Sequence, residues 1–187
     1  MDDRRISRRA SLASLGGLIA GAAGAAGWKG AENAGAGPAA VASGLVTCIL
    51  APEQTEGPYY VDDAAVRRNV TEGRPGVALA LRLTVVDAST CKPVENAAVE
   101  IWHCDAAGVY SGVQGDTGMF LRGVQRTDSK GLAIFRTIYP GWYPGRAVHI
   151  HTMVHIGGNV VHTGQLYFPD AVTDAVYKRT PYSRRPN

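Results

Sequence analysis

Beyond its first thirty residues, no window of this sequence sustains an apolar period near 3.6, and no internal repeat is visible. A helical bundle needs such a stripe and a solenoid such a repeat, so both are excluded. Charge is scarce as well. Only 19% of the 187 residues are Asp, Glu, Lys or Arg, against 45% hydrophobic, and so apolar a chain is not disordered. A basic surplus is also missing from the body: the chain is +3 overall, yet residues 44–177 hold ten basic and thirteen acidic side chains. A nucleic-acid binder would carry its positive charge there, so nucleic acid is set aside as a partner. What is abundant is Gly, with 23 residues, and Pro, with 10. That is the composition of a loop-rich globular chain, of a length for one domain.

The basic residues gather at the ends. Residues 1–43 carry five basic and three acidic side chains and include Ser7-Arg8-Arg9-Ala10-Ser11-Leu12, and nothing from Ala10 to Trp28 is charged. A paired arginine ahead of a weakly apolar stretch resembles a twin-arginine export signal. Gly and Ala make the stretch a poor bilayer span, so no stable membrane anchor is expected. Small-residue cleavage sites recur at Ala23-Gly24-Ala25 and Ala40-Val41-Ala42, leaving the cut open. Leu45-Val46-Thr47-Cys48 is a poor lipoprotein site, because Thr47 is the wrong residue before the cysteine. Trp28–Gly44 reads as a Gly/Ala-rich linker. The expectation is an unstructured signal and linker over 1–43 and a folded domain over 44–187 beginning near Val46. Export through the twin-arginine machinery would deliver it to the periplasm, the cell envelope or the medium. Such export carries proteins already folded, often around a cofactor.

Three cysteines are an odd count for an exported chain. Oxidation outside the cell favours one disulfide. Cys91 and Cys104 flank the two ends of one hairpin arm, too far apart to bridge. Cys48–Cys91 is therefore the preferred pair, with Cys104 free and buried.

The body reads as strands. Val77–Asp87 alternates Leu79, Leu81, Leu83 and Val85 with Ala80, Arg82, Thr84 and Val86, and Ala97–His103 sets Val99 and Ile101 against Glu100 and Trp102. Gly131–Thr137 follows the turn Asp128-Ser129-Lys130-Gly131, and Gly157-Gly158 joins Val148–Ile156 to Asn159–Phe168 as a hairpin. Short strands, frequent turns and no crossover helices predict an all-β antiparallel sandwich.

The sharpest chemical signal is Val148-His149-Ile150-His151. Residues i and i+2 of a strand share a face, so His149 and His151 project together and can chelate a metal, while Val148, Ile150 and Thr152 pack inward. His155 continues that face, and His162 joins it across a two-residue loop. That opens a set of three or four histidines, although both also read as polar strand-end residues, the preferred reading.

Two further segments bear on the site. Ile101-Trp102-His103-Cys104-Asp105-Ala106-Ala107-Gly108-Val109-Tyr110-Ser111 ends a strand and delivers a tyrosine. Ile138-Tyr139-Pro140-Gly141-Trp142-Tyr143-Pro144-Gly145-Arg146 delivers another with an arginine. Together with Thr55-Glu56-Gly57-Pro58-Tyr59-Tyr60, Phe120-Leu121-Arg122-Gly123 and Gly164-Gln165-Leu166-Tyr167-Phe168, this order resembles the intradiol ring-cleavage dioxygenases, and their exported branch most. The likeness runs from about Cys48 to the C-terminus.

The resemblance implies non-haem Fe(III) held by Tyr110, Tyr143, His149 and His151. Two hard anionic phenolates suit ferric iron, whereas a ferrous oxygenase would use two histidines and a carboxylate. It further implies a catechol substrate that binds through both oxygens and displaces Tyr143. Reaction with O₂ would then give a muconate-type diacid. Arg146 would stabilise negative charge on the ring, Gln165 would stand near the substrate, and Tyr59 and Tyr60 would cap the pocket. The family usually continues well past Pro181-Tyr182-Ser183, supplying further strands, so an unpaired sheet edge is expected, and the family's helical dimerisation region has no counterpart. Against this stand a version of the family whose pocket cannot close, and a non-catalytic binding module of the prealbumin-like or carboxypeptidase-regulatory kind, which Leu81–Ala107 also resembles.

Overall fold

The computed structural model describes residue 48 and residues 50–113 and 115–185. The expected export signal, the linker and the domain start near Val46 lie outside the described residues.

Six strands carry the fold: β1 (Ala78–Thr84), β2 (Ala98–Trp102), β3 (Arg122–Arg126), β4 (Leu132–Ile138), β5 (His149–Ile156) and β6 (Asn159–Tyr167). They make two antiparallel sheets, β1–β4 and β3–β2–β5–β6. Between them lies a core of Val99, Ile101, Phe120, Leu121, Phe135, Ile150 and Val154, with Leu79, Leu81, Leu83 and Val85 packed against it. The alternation read in β1 thus sends its leucines inward, as a half-buried strand should. This is the expected sandwich.

β2 and β5 depart from simple alternation. Val99 and Ile101 face the core, yet Glu100 and Trp102 are buried too, and β5 is buried from His149 to Val154. The reason is a segment running across the outer face of the larger sheet. Gln54 N donates to Thr163 O at 2.9 Å, and Tyr59 and Tyr60 pack against Trp102, Tyr110 and Met153. The disulfide Cys48–Cys91 is formed as expected, and Cys104 is free and buried.

Three local features were not anticipated. β3 reads Arg-Gly-Val-Gln-Arg and carries no apolar alternation, so it was legible only as a motif. A short helix α1 (Asp170–Tyr177) and a 3-10 turn (Tyr182–Arg184) follow β6. α1 is eight residues long and buries only Val176, too little for a visible stripe. The third concerns His162. The β5–β6 loop is two residues, Gly157 and Gly158, both at positive φ. A bulge between Val154 and His155 nevertheless slips the ladder by one. His162 therefore stands opposite Val154, on the core side, and not on the face of His149 and His151. On the side away from β5, β6 has no strand neighbour among the described residues, only the Gln54 N–Thr163 O hydrogen bond, and Val160 and Val161 are exposed.

Candidate metal centre

Three segments deliver the site. The first two residues on the outer face of β5 are His149 and His151. Tyr110 comes from the turn after β2, which Asp105 organises by accepting hydrogen bonds from Ala107 N at 2.9 Å and Val109 N at 3.0 Å. Beyond it the buried Arg122 guanidinium donates to Ser111 O and Oγ. Tyr143 and Arg146 come from the Pro/Gly loop between β4 and β5. The two tyrosine loops interlock: Gly141 N donates to Asp105 O at 3.0 Å. Gly108, at φ +79°, passes so near Trp142 that a Cβ would stand 2.3 Å from its carbonyl oxygen. Arg185 bolts them together, with its guanidinium 4.2 Å over the Trp142 ring and donating to both Ala107 O and Trp142 O.

The result is four donors around one point. Tyr143 Oη and His149 Nε2 are 3.0 Å apart, as are the two Nε2 atoms of His149 and His151, and Tyr110 Oη lies 3.5 Å from both Tyr143 Oη and His149 Nε2. His149 Nδ1 donates to Ala147 O at 2.6 Å, so its Nε2 presents a lone pair. Lone pairs on two nitrogens this close repel unless a cation or proton lies between them. Donors bonded at about 2 Å to one metal have neighbour separations of this size. Buried His151 Nδ1 has no partner, so a cation at Nε2 would leave the ring's proton on Nδ1 without an acceptor.

Burial sets the charge of the centre. It pulls the His149 imidazole below its ordinary pKa and takes His151 down to about 3, with the neighbouring His149 and Arg146 adding to the effect. Burial also raises the phenols of Tyr110 and Tyr143. Without a metal these are four neutral groups. A cation would deprotonate the phenols, as it does any acid it coordinates, and the neutral imidazoles are already in ligand form. Among the described residues no three His, Cys, Asp or Glu side chains form a metal-holding group. The many-histidine alternative therefore falls away, and His155 instead sits 3.4 Å from the buried Glu100 carboxylate. Two phenols and two imidazoles form a hard set that fits ferric iron.

Arg146 and Gln165 meet beside the donors. Arg146 donates to Gln165 Oε1, and Gln165 Nε2 donates to Thr55 O at 2.9 Å. The Tyr167 hydroxyl, which sequence reasoning left unassigned, lies 2.9 Å from Gln165 Oε1 and 2.8 Å from Gln54 Oε1. This network ties the covering segment to β6. The segment runs on over the site: Tyr59 stacks on Tyr110 at 4.5 Å and meets Tyr143 edge-on. Tyr60 instead turns to Trp102 and Glu100. A groove of about 320 Å³ opens beside Tyr143 and Arg146, with Tyr167, Asp170 and Asp174 on its other walls.

The sequence profile of the dioxygenase family matches residues 55–160. An intradiol ring-cleavage dioxygenase of Tetranychus urticae is 39% identical and superposes with a TM-score of 0.72 over 75% of either chain. The dioxygenase domain of a carbohydrate-binding fusion protein from Streptomyces sp. SirexAA-E is 38% identical, with a TM-score of 0.55 over 68% of this chain and 82% of that one. The protocatechuate 3,4-dioxygenase β chain of Burkholderia cepacia is 30% identical over 67% of this chain and 60% of its own length. The hydroxyquinol 1,2-dioxygenase of Corynebacterium glutamicum is 34% identical over 47% of this chain, and the match spans only 30% of that enzyme.

Proposed function

The chain belongs to the intradiol ring-cleavage dioxygenase family, and from that premise we propose that it uses Fe(III) and O₂ to open catecholic rings into muconate-type diacids. The observation that carries this reading is the convergence of Tyr110, Tyr143, His149 and His151 within 3.0–3.5 Å along the measured pairs. Ferric iron bound there would supply a Lewis-acidic template that draws electron density from a chelated catecholate and opens its ring to O₂.

The protein's own groups divide the remaining work. Tyr110 is 4% exposed and stacked under Tyr59, so it stays in place. Tyr143 is less buried and borders the groove, so it is the phenol placed to meet an entering catechol and would take up a proton from it. Arg146, steadied by Gln165, presents fixed positive charge where the ring becomes electron-rich. Tyr59 and Gly57 keep water from the far side of His151 and Tyr110. The export reading is part of the same proposal: residues 1–43 send the protein out through the twin-arginine machinery. Replacing Arg8 and Arg9 with Lys would keep it in the cytoplasm, as fractionation would reveal.

The test of the chemistry is the visible spectrum of the iron-loaded protein, before and after catechol is added without O₂. Tyrosinate on Fe(III) gives a broad charge-transfer band and a wine-red colour, and bound catecholate moves the band to longer wavelength. A protein that stays colourless with ferric iron supplied refutes the proposal. A red protein whose band ignores catechol refutes the substrate class.

A further inference from the structure

The two histidines of the centre are not held alike. His149 is fixed through Nδ1, which donates to Ala147 O. His151 has no such tether, since its Nδ1 is buried without a partner. Ligating histidines almost always donate that second N–H, because it fixes the plane of the ring and so the aim of the ligating nitrogen. Something else must hold His151.

That something is Trp102. The β2–β5 register sets Trp102 opposite His151, so both side chains leave the same face of the sheet. Their rings lie 4.9 Å apart between centroids with planes only 5° from parallel. Turning the imidazole about its Cβ–Cγ bond would drive its edge into the indole. The other neighbours close the remaining sides without fixing the plane. His149 and Tyr110 meet the ring at 79° and 62°, and Gly57 passes its rim, where a Cβ would stand 3.2 Å from His151 Cε1.

The indole is also placed at a cost that packing alone does not justify. Trp102 is fully buried, yet its Nε1–H has no hydrogen-bond partner. Buried indoles normally find one, and a buried donor left without a partner is destabilising. A side chain without an N–H would avoid that cost, so the indole is not there for a hydrogen bond. The flat face is what only an aromatic ring supplies.

We propose that Trp102 is a positioning residue, which holds the plane of His151 by stacking and so aims Nε2 at the other three donors. The inference rests on the ferric reading above. Two variants separate plane from volume: Trp102→Phe keeps a flat ring without the N–H, and Trp102→Met fills space without a plane. Ferric iron affinity, from competition with a chelator, and the charge-transfer band are read for each, with circular dichroism as the check on folding. Trp102→Phe is expected to bind iron within about threefold of the unaltered protein, with the same band. Trp102→Met is expected to lose about 10–100-fold, as supporting residues around metal sites do, with a displaced, broadened band. A Met variant that matches the unaltered protein in both readouts reduces Trp102 to core filling and overturns the proposal. So does a Phe variant as impaired as the Met one.

Should Trp102→Met not fold, the metal-free unaltered protein carries the test. Ring protons of His151 must resonate upfield of those of His149, because they lie over the indole face. Equal positions overturn the proposal. An unaltered protein that takes up no iron refutes the ferric reading instead, while the resonance comparison still reports on the stacking.

Discussion

Glu100 provides a pH test of the covering segment. Its carboxyl is 5% exposed and sits on the outer face of β2 among Tyr60, Asp62, Arg122 and His155. Burial raises its pKa from 4.5 to about 7, and the Asp62 charge adds to that, against the opposing pull of the Tyr60 hydroxyl and Arg122. The folded protein therefore holds a proton between pH 4.5 and 7 that the unfolded chain releases. Stability from this group is whole below about pH 4.5 and is lost as pH rises through about 7. At about 1.4 kcal/mol per pKa unit, the loss amounts to roughly 3 kcal/mol at most. Glu100→Gln keeps the shape and the hydrogen bond to Tyr60 but cannot ionise. Urea unfolding of both proteins from pH 4.5 to 8 isolates the effect, because shifts at His149 and His151 cancel in the difference. The variant should equal the unaltered protein near pH 4.5 and exceed it by a growing margin toward pH 8. Parallel curves would refute the reasoning.

Tyr110→Phe and Tyr143→Phe should each weaken the charge-transfer band of the iron-loaded protein, and the double variant should abolish it; full colour in the double variant excludes the phenols as ligands. Phe135→Ala, at a fully buried core position, should cost about 3–5 kcal/mol in urea unfolding. Reducing Cys48–Cys91, which closes a loop of 43 residues, should cost about 4 kcal/mol by the chain-entropy relation. It should also loosen the segment over the metal face, which limited proteolysis near Gln54 would register. Gly108→Ala should lower both thermal stability and iron content, because the residue is held at φ +79° against the Trp142 carbonyl.

The sequence made the sandwich legible because β1, β2, β4, β5 and β6 each carry alternation or a turn that marks them. β3 and α1 escaped because neither bears a stripe: one is mostly polar, and the other buries a single residue. The four candidate ligands were readable through resemblance, and His149 and His151 also through their spacing. The roles of Trp102, Tyr167 and Arg185 were not readable. Trp102 is a candidate ligand's neighbour only through the register of β2 on β5, and Tyr167 joins Gln165 only once the covering segment is laid over β6. His162 shows the same limit from the other side. Its face depended on one bulge that no local pattern announces.

Arg185 follows every candidate ligand in the chain, yet it clamps the loops that carry Tyr110 and Tyr143. During synthesis, the two histidines and both tyrosines emerge before the clamp exists. The spacing of the two phenols therefore depends on a residue 34 positions beyond His151 in the chain. A half-made chain would present the donors separately, as ordinary surface groups. A metal bound by all four donors would therefore load onto the folded domain and not onto a partly made chain.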